Sequence, residues 1–514
     1  MYKTKKWFRS LFRRRMIVAS LVLLQILLIV FLAIGGSSNF IVINNFLTAI
    51  SFVVAIFVIA NKEKKAYKII WLVLLLVFPV FGGLFYLLFR FQSSTRRITK
   101  KQKYVERISK DLFFSNRNCY DGIVKNNKNY SPLITYLQQT CNYPIYENNK
   151  IEFLESGEVF FDRLLKELKK AKKYIFLEYF IVHEGKMWNS ILEILKEKVK
   201  QGVEVRVMYD DMGCFLLLPN NYKKILEEYG IKCVVFNEFR PFLTAIQNNR
   251  DHRKLAIIDG IVSFTGGINL ADEYINEYDR YGHWKDCGVV IEGDASWSFT
   301  LMYLQLWSIC KNDSVNYLYY YPCINNNNNK VNNKCYLQPY CDSPIDSEFV
   351  SEEVYLSIIN SAKDYLYINT PYLIIDDNMI QSLTKAAKSG VDVRITVPFK
   401  CDKKLIHFTT RSYYYELIKS GVKIYEYSSG FIHSKTFISD DLIATNGTVN
   451  LDFRSLYLHF ECGVCIYDKK CITDMKKDFI TTLEKCKEVT LEDCKKNIIV
   501  RFLQNICKLF APLM

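Results

Sequence analysis

Acidic residues are nearly missing from the start of this chain. Positions 1–104 hold one, Glu63, against 17 Lys and Arg, a net of +16. Residues 105–514 carry 51 basic and 52 acidic side chains, a net of −1, so the +15 excess of the whole protein belongs to its N-terminal fifth. The large remainder lacks the bulk positive charge that draws a polyanion along a catalytic surface, which argues against a nucleic-acid partner. Proline (11) and glycine (21) are sparse, which excludes a Pro/Gly-rich low-complexity chain. The 16 cysteines form no small disulfide-dense module, as suits a reducing compartment. Cys462 and Cys465 make one Cys-x-x-Cys, but it lies in the apolar stretch CGVCI with no second Cys/His pair nearby, so it reads as buried strand and not as a metal site. No clear small-residue cleavage site comes before further hydrophobic sequence, which excludes a removed signal peptide. Histidine occurs only six times.

Long apolar runs are present, and all lie in the basic segment. Residues 16–34, 40–60 and 69–89 each approach the ~20 residues that cross a bilayer. Basic residues precede the first run, fill the connector 62–68 and follow the third, and a positive-inside arrangement wants all three stretches on the cytoplasmic side. Two crossings satisfy this if the third run bends back at Pro79, Gly82 and Gly83; the alternative is three plain spans with an external soluble region. Residues 1–104 are therefore expected to be a multi-pass anchor in the cell membrane, with the remainder cytoplasmic.

The scarce histidines are not scattered. Residues 252–259 read HRKLAIID and 433–440 read HSKTFISD, the same frame of His, one residue, Lys, four residues, Asp. Asn269 and Asn450 each follow seventeen residues after their histidine. The surroundings repeat in order: KQGVEVRV (200–207) with KSGVDVRI (388–395), and KKYIFLEYF (172–180) with KDYLYINTP (363–371). Each copy alternates apolar β-rich runs with helical-period stretches such as SILEILKEKVKQG, which predicts strand–helix–strand units on a largely parallel sheet. The stretch 324–334, INNNNNKVNNK, cannot pack and is expected to join a first domain (105–323) to a second (335–514). The tail 495–514 has an amphipathic pattern.

On a strand, residues i and i+2 share a face, which puts His252 beside Lys254 and His433 beside Lys435. Two imidazoles and two ammonium groups suit phosphoryl chemistry. Lysine offsets phosphate charge, one imidazole can attack phosphorus, and the other can protonate the leaving oxygen. Asn269 and Asn450 could donate as charge builds. Asp286 (in WKD) and Glu461 (in HFE), each shortly downstream of its motif, are candidates to fix the imidazole tautomers. Asp259 and Asp440 have the opposite parity and a turn-like setting, so bracing is expected more than substrate contact. His183, His283, His407 and His459 share no repeated frame and are left as structural or without an assigned role.

These residues resemble the paired HKD motifs of the phospholipase D superfamily, and GGIN (266–269) and GTVN (447–450) fit its pattern. Over nearly the whole chain the sequence is similar to the bacterial cardiolipin synthases, carried by IFLEYFI (175–181), VEVRVMYDDMG (203–213), NNRDHRKLAIIDG (248–260), HWKDCGVVIEG (283–293), GVKIYEYSSGFIHSKTFISDD (421–441) and NLDFRSLYLHFE (450–461). The resemblance implies an α/β fold of two pseudo-symmetric phospholipase D-like αβα domains preceded by transmembrane helices. It implies transfer of a phosphatidyl group from one phosphatidylglycerol to another, giving cardiolipin and glycerol, with no metal or other cofactor. His252, Lys254, Asp259, His433, Lys435 and Asp440 would be the catalytic positions, with His252 as nucleophile and His433 as acid and base. Anionic membrane lipid is the expected partner, and nothing in the pattern sets an oligomeric state. The polar insertion near 324–334 and the additional first hydrophobic run depart from the family pattern. A hydrolase using water or a transferase using another alcohol remains open. The neutral soluble region disfavours a superfamily nuclease, and two intact frames disfavour a non-enzymatic scaffold.

Overall fold

A computed structural model describes residues 27, 38–61, 64–78, 82–83, 86–87, 93–238, 245–311, 315–322, 334–346 and 348–514. The chain divides into two compact units: residues 99–238, 249–505 and Met514 form the larger, and the remaining segments, including 239–248 and 506–513, form the smaller.

In the smaller unit, helix Ser38–Ala60 runs 23 residues without a charge. Helix Lys65–Val77 follows, and Val54, Val58, Leu75 and Tyr86 form a small apolar cluster. A Cβ on Gly83 would stand 2.6 Å from the Ser51 hydroxyl, so glycine permits that close approach. Among the described residues no helix is long and apolar enough to cross a membrane. The expected transmembrane helices thus find no support among the described residues. The run 16–34, apart from Leu27, and the bend at Pro79 lie outside them.

The larger unit is built on one continuous sheet that reads the same from either end. From one edge the strands are Lys232–Phe236, Glu204–Asp210, Tyr174–Tyr179, Lys254–Ile258, Val262–Gly266, Gly288–Gly293 and Tyr146–Leu154. The second repeat mirrors them: Lys334–Asp342, His459–Ile466, Ile443–Gly447, Thr436–Ser439, Tyr365–Asn369, Asp392–Pro398 and Lys423–Tyr427, with Cys486–Val489 closing the far edge. The repeats join where Tyr146–Leu154 pairs antiparallel with Lys334–Asp342.

The sheet is mixed, not largely parallel as expected. In each repeat only the three outermost equivalent strands run parallel, and the four inner ones are antiparallel. The reason is local. The strand after each motif returns through a tight turn at Asp259–Gly260 or Asp440–Asp441, and so short a connection can join only antiparallel neighbours. The helical periods are where the sequence put them. Helix Lys186–Lys200 ends ahead of Gly202 (φ +85°), and helix Asp377–Lys388 ends ahead of Gly390 (φ +97°). Each glycine takes the left-handed conformation that terminates a helix.

Helix Ser296–Lys311 is apolar on all sides and almost wholly buried. It belongs to a core that includes Phe176 and Leu255 from the first repeat and Leu337, Tyr367, Ile438 and Cys462 from the second. One core therefore serves both repeats. Cys462 and Cys465 are buried in strand His459–Ile466. Residues 324–333 of the polar insertion lie outside the described residues, and Lys334 already begins a strand.

Candidate active site

Each motif histidine is delivered by a short parallel pairing with the other repeat. Arg250–Asp251 pairs with His459–Phe460, and the next backbone amide, that of His252, donates to the Phe460 carbonyl at 2.9 Å. Gly430–Ile432 pairs with His283–Lys285, and the His433 amide donates to the Lys285 carbonyl at 2.7 Å. The register then sets the side-chain partners. His252 Nδ1 lies 2.8 and 3.0 Å from the two oxygens of Glu461, and His433 Nδ1 lies 2.7 Å from Asp286 Oδ2. Both carboxylates are fully buried, and both imidazoles are nearly so. Each repeat thus supplies the carboxylate for the other repeat's imidazole, whereas the sequence had placed each one just downstream of its own motif. Only the cross-repeat register could reveal the exchange.

Lys254 and Lys435 are buried as well, and each Nζ donates to the carbonyl of the histidine two residues earlier. Burial lowers Lys254 to about 8 and Lys435 to about 7. Lys254 is close enough to help depress both Lys435 and His433 and to stabilise the Asp286 carboxylate, so the two motifs share one electrostatic environment.

The two imidazoles differ in state. Burial drives His252 down to about 3 against the pull of Glu461. Burial also works to raise Glu461, but His252, His459 and Lys254 overcome it and hold that carboxyl below the usual range. The pair is a neutral imidazole donating Nδ1–H to a carboxylate, which leaves a lone pair on Nε2. Around His433 the pattern reverses. Burial, with Lys435 and Lys254, lowers the ring well below its usual value, and burial raises Asp286 to about 7. Lys435 Nζ stands 2.9 Å from His433 Nδ1, the same nitrogen that lies 2.7 Å from Asp286 Oδ2, so an ammonium and a carboxyl compete for it.

Side chains outside the motifs shape these states. The Thr448 hydroxyl donates to Glu461 and also accepts from the Cys462 amide at 3.0 Å. Its counterpart in the first repeat is Gly267, where a Cβ would come within 2.1 Å of Asp286 Oδ1. GGIN and GTVN therefore differ at the residue that touches each carboxylate. Phe180 packs edge-on to His252 (5.1 Å between centroids), while Tyr274 and Trp284 surround His433 at 5.5 and 5.3 Å. His459, left as structural or without an assigned role, lies 5.5 Å from the His252 ring. Its signal was the spacing to Glu461, two residues on along a strand and therefore on the same face.

Asp259 and Asp440 are placed elsewhere. Each ends its strand in the left-handed region (φ +54° and +55°), about 16 Å along the chain from its motif lysine. Asp259 accepts the amides of Lys172, Lys173 and Tyr174 at 2.7–2.8 Å, and Asp440 those of Lys363, Asp364 and Tyr365 at 2.8–3.0 Å. They clamp the start of the neighbouring strand. Asn269 is also committed: its Oδ1 accepts from the Ile181 amide at 3.0 Å, and its Nδ2 donates to the Tyr274 hydroxyl at 2.6 Å. Asn450 differs, with Oδ1 buried and no hydrogen-bond partner among the described residues.

A family model described as cardiolipin synthase, PLD-like domain, matches residues 164–292 and again 355–483, together half of the chain. The chain belongs to the cardiolipin synthase family, the phospholipase D-type phosphatidyltransferases. A second model, phospholipase D-nuclease N-terminal, matches residues 47–90. A cardiolipin synthase of Alkalihalophilus pseudofirmus is 33% identical over 84% of this chain and 85% of its own length. A protein of Streptococcus mutans without an assigned function is 42% identical over 89% of this chain and 98% of its own. The solved phosphatidylserine synthase of Haemophilus influenzae covers 74% of this chain and 99% of its own at a TM-score of 0.56; at 16% identity it shows a shared fold. Each matched segment contains one His–Lys frame and the carboxylate that pairs with the other repeat's histidine.

Proposed function

We propose that this enzyme transfers a phosphatidyl group from one phosphatidylglycerol to the terminal hydroxyl of a second, forming cardiolipin and releasing glycerol. The observation that carries the reading is the reciprocal pairing of His252 with Glu461 and His433 with Asp286 around two buried ammonium groups. Lys254 and Lys435 offset the charge of the phosphodiester. His252 Nε2 attacks phosphorus, a P–N bond forms, and the P–O bond to glycerol breaks. His433 gives its Nε2 proton to the leaving oxygen as its Nδ1 takes one from the Lys435 ammonium 2.9 Å away, so the ring stays neutral, and the second step reverses both transfers. The second phosphatidylglycerol then enters, His433 takes the proton of its hydroxyl, and that oxygen displaces His252 from phosphorus. One P–O bond is exchanged for another, so no nucleotide is needed to drive the exchange. Asn450 is the motif asparagine left available for the phosphate, and Asn269, Asp259 and Asp440 hold the frame.

In this reading residues 1–104 anchor the enzyme in a membrane, 105–323 and 335–514 are the two catalytic repeats, and the catalytic repeats face the cytoplasm. Support comes from the uncharged helix Ser38–Ala60, its exposed Phe46, Phe52, Ile56 and Ile59, the +16 charge that favours an anionic lipid surface, and the free cysteines. Thiol labelling of intact cells with an impermeant reagent tests the orientation. The activity is tested with purified enzyme in phosphatidylglycerol vesicles, products being resolved by mass. Cardiolipin and glycerol in equal amounts are expected; phosphatidic acid as sole product would assign a hydrolase.

A further inference from the structure

His459 is a side chain the proposed reaction does not use, yet it stands beside the nucleophile. It shares a strand face with Glu461, and its register partner Arg250 lies two residues before His252. Its Nδ1 is buried and has no hydrogen-bond partner among the described residues. That atom points toward Glu461 Oε1 but stops 3.7 Å away, beyond hydrogen-bond reach. Glu461 Oε1 is in turn 2.8 Å from His252 Nδ1. One ligating atom from each of His252, His459 and Glu461 lies within 4.8 Å of the other two.

We propose that His252, His459 and Glu461 form an inhibitory zinc site. Two imidazoles and one carboxylate are a donor set zinc favours, with bonds of about 2.0–2.2 Å and therefore ligand atoms about 3.3 Å apart on a tetrahedron. The separations of 2.8 and 3.7 Å from Glu461 bracket that value, and the imidazole atoms lie within 4.8 Å of each other, so side-chain rotation is what closes the site. The consequence for catalysis follows from the tautomer. A neutral imidazole has one proton and one lone pair. If zinc takes Nδ1 of His252, the proton moves to Nε2; if zinc takes Nε2, it occupies the attacking lone pair directly. Either way no lone pair remains for phosphorus. The Glu461 carboxylate that fixed the active tautomer is captured at the same time. Metal binding and phosphoryl attack are then mutually exclusive uses of the same ring. The binding claim stands on geometry alone, while the inhibition claim rests on the reading of His252 as nucleophile.

The test uses the full-length enzyme in detergent micelles. Zinc binding is measured by competition with a chromophoric chelator, and cobalt is used as an optical probe of ligand type. Transfer is then assayed with zinc and with chelator. We expect one zinc per chain, a cobalt spectrum of nitrogen and oxygen ligation, and loss of transfer on zinc addition that chelator reverses. His459→Asn should weaken binding at least about 100-fold, the upper end of what losing an outer-shell partner costs. The variant should keep the wild-type melting curve, which shows that it folds, and the transfer it retains in chelator should no longer respond to zinc. No stoichiometric binding by the wild type, binding that His459→Asn leaves unchanged, or a thiolate-to-cobalt band would overturn the site while leaving the transferase reading intact. Binding at His459 without loss of transfer would overturn the inhibition and remove His252 as nucleophile.

Discussion

His252 and His433 hold equivalent positions but differ in what touches Nδ1. Glu461 accepts from one ring, whereas Asp286 and Lys435 both reach the Nδ1 of the other. Burial that lowers the two lysines has a kinetic consequence. Both ammonium groups lose charge as pH rises through about 7 for Lys435 and about 8 for Lys254. The kcat/KM for phosphatidylglycerol should therefore fall on the alkaline side over that window. A bound phosphate favours the charged lysines and raises both values, so the alkaline limb of kcat should lie at higher pH than that of kcat/KM. Profiles of both parameters in mixed micelles check this; coincident limbs would show that the lysines do not meet the phosphate.

At the scale of elements, two small features hold the site. Asp259 and Asp440 each anchor the first residues of an adjacent strand through three amides, and a hydrogen bond to a charged group contributes about 1.5–3 kcal/mol. Asp259→Ala should lower stability by about 2–4 kcal/mol in thermal melts, with kcat of the folded fraction changed only a few-fold. Asp259→Asn, which tolerates the left-handed backbone, should be milder. A collapse of kcat at unchanged stability would return Asp259 to the chemistry. Gly267→Ala sets a methyl against Asp286 Oδ1, so it should displace the partner of His433 and cut the kcat of the folded enzyme by about 10²–10⁴, the range for loss of a positioned acid or base, with a stability loss of about 1–3 kcal/mol in thermal melts. Wild-type turnover would contradict the pairing. The sequence made the His–Lys frames legible because an i, i+2 spacing on a strand is local, and the turn at Asp259–Gly260 was legible for the same reason. The antiparallel consequence of that turn was there to be drawn. The exchange of Asp286 and Glu461 was not, because it depends on pairing between residues 147 and 209 positions apart. Asn269 and Asn450 looked alike in spacing and parted only when Tyr274 and the Ile181 amide claimed one of them.

At the scale of the whole molecule, duplication supplies two half-sites, and neither is complete. One core buries helix Ser296–Lys311 together with residues of both repeats, and each imidazole depends on a carboxylate from across the repeat boundary. Pseudo-symmetry brings the groups together, and small departures from it, Gly267 against Thr448 and Asp286 against Glu461, assign them different tasks. That assignment is open to one direct measurement. A phosphatidyl ester of 4-nitrophenol has a leaving group that departs without a proton. His433→Ala should therefore release one nitrophenolate per enzyme in a burst and then stall, with the phosphatidyl adduct on the peptide that carries His252. His252→Ala should give no burst. A burst from His252→Ala with the adduct on the peptide carrying His433 would contradict the account.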